Sequence, residues 1–535
     1  MEREDVITGI AIDPAPERKL EERVMKLSAA EDMPHRDSGH LAKLDSLQKE
    51  LHKLLPPQRV STEESVLRRH GSDLTWHPCT PPDVVVFPES TEEISRILQL
   101  CNRLGVPVIP FGKGSSLEGH ISAPMGGLSF DMRRMNKVLA FHPEDMDVTV
   151  QAGVTRGQLN QHIKPEGLFF CCDPGADATL GGMAATGASG PTAMRYGMMK
   201  DMVLSLTVVL ASGEVITTGK RARKSRAGYN MAALFVGSEG TLGVITELTL
   251  RLERVPKHIL AMRCVFHSVE QAAKTVSKLI YDDIRSVMRC ELLDEWCLKA
   301  VNMSQGQSYD EKPTLFVELH SSDRDYIYRQ AKQVEEIARH QFNAVHVHQA
   351  EDSEDIENLW KARYDAWYAV PALRPEAEAF ATDVAVPISR LADCIEGARR
   401  LASELGLDRL PIIGHVGSGN FHTFVLVDMN NKQEVRTAKE YNRKLMKLAQ
   451  EMDGTCTAEH GIGIGKRQQL IDELGEGCVK AEKVIKSALD PNNILNPMKI
   501  FFSAKEEMSL HHRLHEREEE VERDRCLPRT EQKNI

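Results

Sequence analysis

The chain has 535 residues, more than the roughly 250–300 that one hydrophobic core serves, so two or more domains with ligand-bearing clefts between them are expected. Hydrophobic residues make up 41% and charged residues 27%, and no apolar run approaches the ~20 residues that cross a bilayer, so no transmembrane segment is expected. The formal charge of −11 arises from mixed signs with no sustained basic stripe, which argues against a nucleic-acid partner and for small molecules or proteins.

Residues 1–45 alternate charge, Pro and Ala with little periodicity and read as a loosely ordered arm. The opening MEREDVITGI holds no apolar secretory core and is acidic, the wrong charge for a mitochondrial presequence. From Leu44, LDSLQKELHKLL has the spacing of an amphipathic helix. From Pro81 short apolar runs alternate with helical stretches: DVVVFP, TEEISRILQLCNRLG, VPVIPFG. Thr91 before Glu92 and Glu93 reads as a helix N-cap and Gly105 as the stop, giving a strand–helix–strand unit that feeds a glycine loop.

VTVQAGV (148–154) and LSLTVVLASGEVITT (204–218), the latter turning at Ser-Gly-Glu, are further strands, and TLGVITELTLRL (241–252) closes this block. After Val255 and Pro256 longer mixed elements take over. This organisation predicts a first domain over 46–256, a second over 257–480, a return to the first over 481–502 through LDPNNILNP, and a charged tail over 503–535 without a catalytic role. The eleven cysteines are scattered and never spaced as Cys-x-x-Cys, so neither a disulfide framework nor a zinc ribbon is expected and a reducing compartment is.

Three glycine clusters fall in the first domain: PFGKGSSLEGH (110–120), DPGADATLGGMAATGASG (173–190) and VGSEGTLGV (236–244). Glycine lets backbone approach a phosphate or a flat ring, with exposed amides to cradle the anion; any one such loop alone reads equally as turn chemistry. None is a Rossmann fingerprint, and Gly112–Lys113 lacks the Walker spacing, so nicotinamide and ATP chemistry are disfavoured. In the second domain GHVGSGNFH (414–422) places His415 and His422 around a Gly-Ser-Gly turn, and TAEHGIG (457–463) adds Glu459 and His460. Two imidazoles and a carboxylate leave a metal with open positions; a pair of structural histidines is the plainer alternative. LWKARYDAWYA (359–369) sets Arg363 among aromatics, either to grip a carboxylate with its fork or to stack on Trp360 or Trp367.

The glycine clusters, with GGLSFDMRRMNKV (126–138) and RYGMMKDMVLSLTVVLASGEV (195–215), resemble the FAD-binding domain of the vanillyl-alcohol oxidase/p-cresol methylhydroxylase superfamily. More closely, residues 80–501 resemble the FAD-linked D-lactate dehydrogenase (cytochrome) family and its relatives acting on D-2-hydroxyglutarate and glycolate. The resemblance implies an α+β fold: a two-subdomain FAD-binding domain of the p-cresol methylhydroxylase type and an α+β substrate (cap) domain with an antiparallel sheet. It implies noncovalent FAD. Pro110, Gly112, Lys113, Gly114, Ser115, Ser116 and Gly119 would wrap the pyrophosphate, and His120 is a candidate tether by residue type only. Pro174, Gly175, Thr179, Gly181, Gly182, Ser189 and Gly190 would run along pyrophosphate and isoalloxazine, while Glu239, Gly240, Gly243 and Ile245 hold the adenosine side and Asn496 touches the flavin.

By the same resemblance His415, His422 and Glu459 bind a divalent metal, Zn or Mn, His460 is the base, and Arg363 grips the substrate carboxylate; ATDVAVP (381–387) lines the site. Ser418 stands where the family usually has Asp, and if that Asp orients a ligand, metal affinity here is reduced roughly 10–100-fold. The implied activity is oxidation of D-lactate to pyruvate, with electrons passed to cytochrome c, an electron-transfer flavoprotein or O2. D-2-hydroxyglutarate or glycolate dehydrogenase, an aromatic-alcohol or carbohydrate oxidase, and a non-catalytic flavoprotein subunit are the competing readings. Family analogy implies a mitochondrial location, with a cytoplasmic one left open by the acidic N-terminus; a homodimer would be ordinary.

Overall fold

A computed structural model of the chain describes residues 38–74, 76–503 and Glu506. Most of the expected N-terminal arm and, Ser503 and Glu506 apart, the charged tail lie outside the described residues. The first described element is a helix, Ser38–Leu54, which begins before the Leu44 at which sequence periodicity becomes visible. Leu44, Leu47, Leu51 and Leu55 are all buried, one stripe at three- and four-residue spacing; each contributes about 1.5–3 kcal/mol relative to exposure. The helix packs on Thr91–Leu104. There the N-cap is Ser90, one residue earlier than expected: its hydroxyl accepts from Glu93 N at 3.2 Å. Thr91 instead turns its hydroxyl to Thr246. Gly105 ends the helix at φ +63, as predicted.

Three larger sheets organise the described residues, beside a two-stranded one of Glu253–Arg254 and Leu168–Phe169. Val84–Val86, Leu128–Asp131 and Val108–Phe111 run parallel, with Val60–Ser61 antiparallel at the edge. The strands Val138–His142, Asp147–Gln151, Val244–Arg251, Val203–Val209 and Val215–Thr217 form an antiparallel five-stranded sheet in that order. The returning loop extends the first of these sheets: Val108 N donates to Ile494 O at 2.7 Å and Asn496 N to Val108 O at 2.8 Å, which places Asn496 beside the glycine loop that follows Phe111.

The third sheet, of eight antiparallel strands, runs from His346–Ala350 through His258–Val265, Thr314–Ser321, Val287–Leu293, Ile412–Gly414 and Asn420–Val427 to Glu378–Ala381, with Val384–Ala385 also on Asn420–Val427. Side chains alternate across it. Cys290 and Leu292 face a core built with helices Val269–Tyr281, Arg324–Glu336, Leu391–Glu404 and Lys432–Gln450. Leu293 faces the opposite layer with Trp360 and Ala362 of the helix Ser353–Ala369, and Glu291 shares that face by alternation. These sheets, packed with helices, make the α+β fold expected. Among the described residues no helix is long and apolar enough to cross a membrane, and the ten cysteines are free.

Candidate active site

The strand Val108–Phe111 carries Pro110 to the wall of a cavity of about 1000 Å³, and the turn that follows lines it with Gly112, Lys113, Gly114, Ser115 and Ser116. A Cβ on Gly112 would stand 2.2 Å from Thr179 Oγ1, so only glycine lets the first two loops nest. His120, Pro174, Thr179, Gly182, Ser189, Glu239, Gly240 and Asn496 share the lining, and so do Glu459 and His460. A cavity of about 400 Å³ shares Pro110, Gly112, Thr179, Gly182 and Gly240 with it and adds Gly181, Gly243 and Ile245. Gly119, Gly175 and Gly190 line neither cavity; they shape the loops. Gly119 and Gly175 donate their amides to Asp73 and Asp173, each at 3.0 Å, and a Cβ on Gly190 would meet Asp173 O at 1.7 Å.

The larger cavity mixes apolar walls with a few polar groups, the usual make-up of a ligand site. His120 is buried in its wall with no hydrogen-bond partner for Nδ1, and its Nε2 is 3.3 Å from Glu239 Oε2 without bonding alignment. A buried polar atom left unpaired costs about 1–3 kcal/mol, so a ligand with polar edges suits this wall. Glycine-rich walls that admit a flat ring and present amides to phosphates complete a fit to FAD.

Glu239 is not grouped with Gly243 and Ile245. Its carboxylate accepts from Ile462 N at 2.7 Å and Gly463 N at 2.8 Å, in the wall that also holds His460. Asn496 Nδ2 donates to Glu239 O at 2.7 Å and to His120 O at 3.0 Å.

Three ligand atoms converge at the rim. Glu459 Oε1 lies 3.2 Å from His415 Nε2 and 3.1 Å from His422 Nε2. The far nitrogens have acceptors: His415 Nδ1 is 2.9 Å from both oxygens of Glu291, and His422 Nδ1 is 3.0 Å from Thr382 O. A divalent ion would take the place of the proton that His415 otherwise holds between Nε2 and Glu459; with protons at both Nδ1 positions, both Nε2 lone pairs would then face the ion, as in a carboxylate–histidine metal site. Burial opposes a charge on His415, but Glu291 and Glu459 outweigh it and push its pKa up to about 10. Burial likewise opposes ionisation of Glu459, and His415 and His422 overcome it, holding the carboxyl well below its usual range.

Asp383, His422 and His460 also cluster, but Asp383 is already filled. Its Oδ2 accepts from Thr457 Oγ1 and from the amides of Ala458, Glu459 and His460 at 2.8–3.1 Å, and its Oδ1 from Asn420 Nδ2. Asp383 therefore pins the loop that carries Glu459 and His460. The His460 ring stacks on His422, centroids 5.0 Å apart and 8° from parallel. Burial, ahead of the opposing pull of Asp383, lowers its pKa to about 4, so it is neutral near pH 7.

Arg363 sits at the same rim with part of its fork engaged: Nε and Nη2 reach Glu291 Oε2 at 2.7 and 2.6 Å. Stacking on Trp360 is not its role, because Arg289 occupies that ring at 3.7 Å. Ser418 is exposed and donates its hydroxyl to His415 O at 2.9 Å, away from either imidazole. Sequence reasoning missed Glu291, whose only signal is a carboxylate inside the buried strand VMRCELL; Asp383 and Thr382 fall in the flagged ATDVAVP stretch without individual notice.

Two family descriptions match the chain: "FAD binding domain" over residues 82–219 and "FAD linked oxidases, C-terminal domain" over 255–500. The solved p-cresol methylhydroxylase with substrate bound superposes at TM-score 0.70 with 17% identity, and 4-ethylphenol oxidase from Gulosibacter chungangensis at 0.71 with 18%, each over 88% of this chain and 99% of that one. Fold and cavity thus define an FAD-binding flavoprotein of the p-cresol methylhydroxylase type.

Sequence narrows the class. "Probable D-lactate dehydrogenase, mitochondrial" of Danio rerio is 46% identical over 82% of this chain and 88% of its own length. "D-lactate dehydrogenase [cytochrome], mitochondrial" of Arabidopsis thaliana is 45% identical over 78% and 73%, and "Glycolate oxidase subunit GlcD" of Bacillus subtilis is 33% identical over 81% and 92%. The chain belongs to the FAD-linked D-lactate dehydrogenase (cytochrome) family.

Proposed function

We propose that this protein oxidises D-lactate to pyruvate at the junction of the FAD cavity with the His415–His422–Glu459 cluster. The observation that carries the reading is that His460, Glu459 and the glycine loops line one cavity, with Glu459 3.2 Å from His415 and Arg363 in turn 3.5 Å from that imidazole. When bound, FAD supplies the acceptor for the hydride leaving C2, and a divalent ion on His415, His422 and Glu459 supplies a Lewis acid for the substrate hydroxyl. Arg363 binds the substrate carboxylate through the Nη1 edge of its guanidinium, which Glu291 leaves open, and so orients C2 toward the cavity. His460, neutral because burial depresses its pKa, accepts the hydroxyl proton on a ring nitrogen as the C2–H bond breaks. A cytochrome acceptor and a mitochondrial setting accord with the names of the Danio and Arabidopsis relatives.

The test is anaerobic bleaching of the flavin band by D-lactate, L-lactate, D-2-hydroxyglutarate and glycolate, with and without a chelator. Fast bleaching by D-lactate that a chelator abolishes is expected. Preference for another of these acids reassigns the substrate, and bleaching insensitive to chelation removes the metal from the reaction.

A further inference from the structure

We infer that Glu291 is a positioning residue serving both halves of the substrate site: it aims Arg363 at the carboxylate and presents His415 to the metal. The inference rests on the metal and carboxylate roles proposed above. Glu291 is wholly buried in the strand Val287–Leu293, where its neighbours Cys290 and Leu292 pack in the apolar core. An ionised carboxylate in such a place persists only when paired and hydrogen-bonded. Its two partners are Arg363, through Nε at 2.7 Å and Nη2 at 2.6 Å, and His415 Nδ1 at 2.9 Å.

Each contact has a consequence for the site. Holding the Nε–Nη2 side of the guanidinium fixes the plane of the fork, so the remaining edge points one way; a free arginine would spend rotamer entropy on every binding event. Accepting a hydrogen bond from Nδ1 fixes the His415 tautomer, so that Nε2 carries the lone pair facing Glu459. Arg363 Nη2 and His415 Nδ1 stand only 3.5 Å apart across this carboxylate. Two donors that would repel one another are brought together by the anion between them. His422 is anchored independently of Glu291: its Nδ1 bonds the Thr382 carbonyl, with Asp383 Oδ1 at 3.7 Å. Losing Glu291 should therefore disturb His415 and Arg363 together and leave His422 in place.

Glu291→Gln tests this. A carboxamide serves both partners poorly: with its oxygen kept toward Arg363, its NH2 stands 2.9 Å from His415 Nδ1 and either repels the proton there or inverts the tautomer, and with its NH2 toward Arg363, donor meets donor. Divalent-ion affinity is read by chelator competition with Mn2+ and Zn2+ on the FAD-loaded protein without substrate, beside wild type and Glu459→Gln. Affinity should fall about 10–100-fold, and at saturating metal kcat should recover more than KM for D-lactate, because Arg363 stays misaimed. Glu291→Asp keeps the charge and should give intermediate values; it carries the test if the glutamine variant loses its flavin. Unchanged metal affinity and KM in a flavin-loaded variant would overturn the inference. Failure of the wild type itself to bind a divalent ion would instead overturn the metal reading on which it rests.

Discussion

Asp383→Asn probes the loop on which the proposed chemistry depends. The wild-type carboxylate is fully buried, with four donors on Oδ2, Asn420 Nδ2 on Oδ1 at 2.9 Å, and Lys466 Nζ at 3.7 Å. Asparagine can keep an oxygen toward the four donors only by turning its NH2 against Asn420 Nδ2, which is itself committed to Val384 O at 2.8 Å. One bond then becomes a donor–donor contact. The others fall from the roughly 1.5–3 kcal/mol of charged hydrogen bonds toward the ~1 kcal/mol of neutral ones. Lys466, 1% exposed, keeps only Glu118 as a carboxylate partner, at 3.2 Å.

The expected loss is about 3–5 kcal/mol, the range for breaking a buried ion pair, against a total of roughly 5–15 kcal/mol for a domain. Tryptophan emission during urea unfolding reads it selectively. Of the four tryptophans, Trp296, Trp360 and Trp367 lie in helices on the eight-stranded sheet, and Trp76 packs on Phe380 with ring centroids 5.7 Å apart. A shift below about 1 kcal/mol, less than a single hydrogen bond to a charged group, would refute the view that Asp383 holds this loop.

His460→Ala should retain FAD and fold while bleaching by D-lactate slows about 10²–10⁴-fold; a normal rate in stopped flow removes His460 as proton acceptor. Asp294, buried at the start of the helix Glu295–Gln305, has its pKa raised to about 7, chiefly by burial and then by Glu295. Its folded pKa lies above the unfolded value of about 3.9, so the stability it contributes is complete below about pH 4 and is lost as pH rises through 7. Asp294→Asn, which keeps an oxygen for the Cys297 amide, should therefore gain on wild type in urea midpoint between pH 5 and pH 8; a constant gap contradicts the shift. Ser418→Asp should change divalent-ion affinity by less than about fivefold, because an exposed charge is worth only ~0.2–1 kcal/mol; a tenfold tightening in chelator competition would restore the orienting role suspected from sequence.

Local patterns legible in the sequence were those with local causes. The leucine spacing of the first helix, the Gly105 stop and the Ser-Gly-Glu hairpin each follow from propensity and turn chemistry over a few residues. The cap at Ser90 was misjudged by one position because Ser and Thr in succession both cap, and only the fold decided that Thr91 faces Thr246. The His415, His422 and Glu459 cluster was visible because glycines flank its members. Glu291 was not, since nothing in VMRCELL tells a buried anchor from an ordinary polar face of a strand; its partners lie 72 and 124 residues away. The partners of Glu239 were hidden for the same reason: its motif is local, but the amides it binds come from residues 462 and 463.

Those long-range partners explain how one loop can carry both the proposed metal ligand and the proposed proton acceptor without losing register. Asp383, beside the eight-stranded sheet, takes the amides of residues 458–460, while Glu239, in the wall of the FAD cavity, takes those of 462 and 463. Gly461 lies between, at φ +78, where a Cβ would stand 2.7 Å from His120 Nε2 and 2.8 Å from Glu239 Oε1. Backbone held by two buried carboxylates does not depend on the side chains it displays. The main chain that carries His460 is thus held independently of the ring, whose removal costs the site only the stacking on His422. That is why a loss of activity in His460→Ala reports on proton transfer, whereas the same loss in Asp383→Asn reports on where the loop lies.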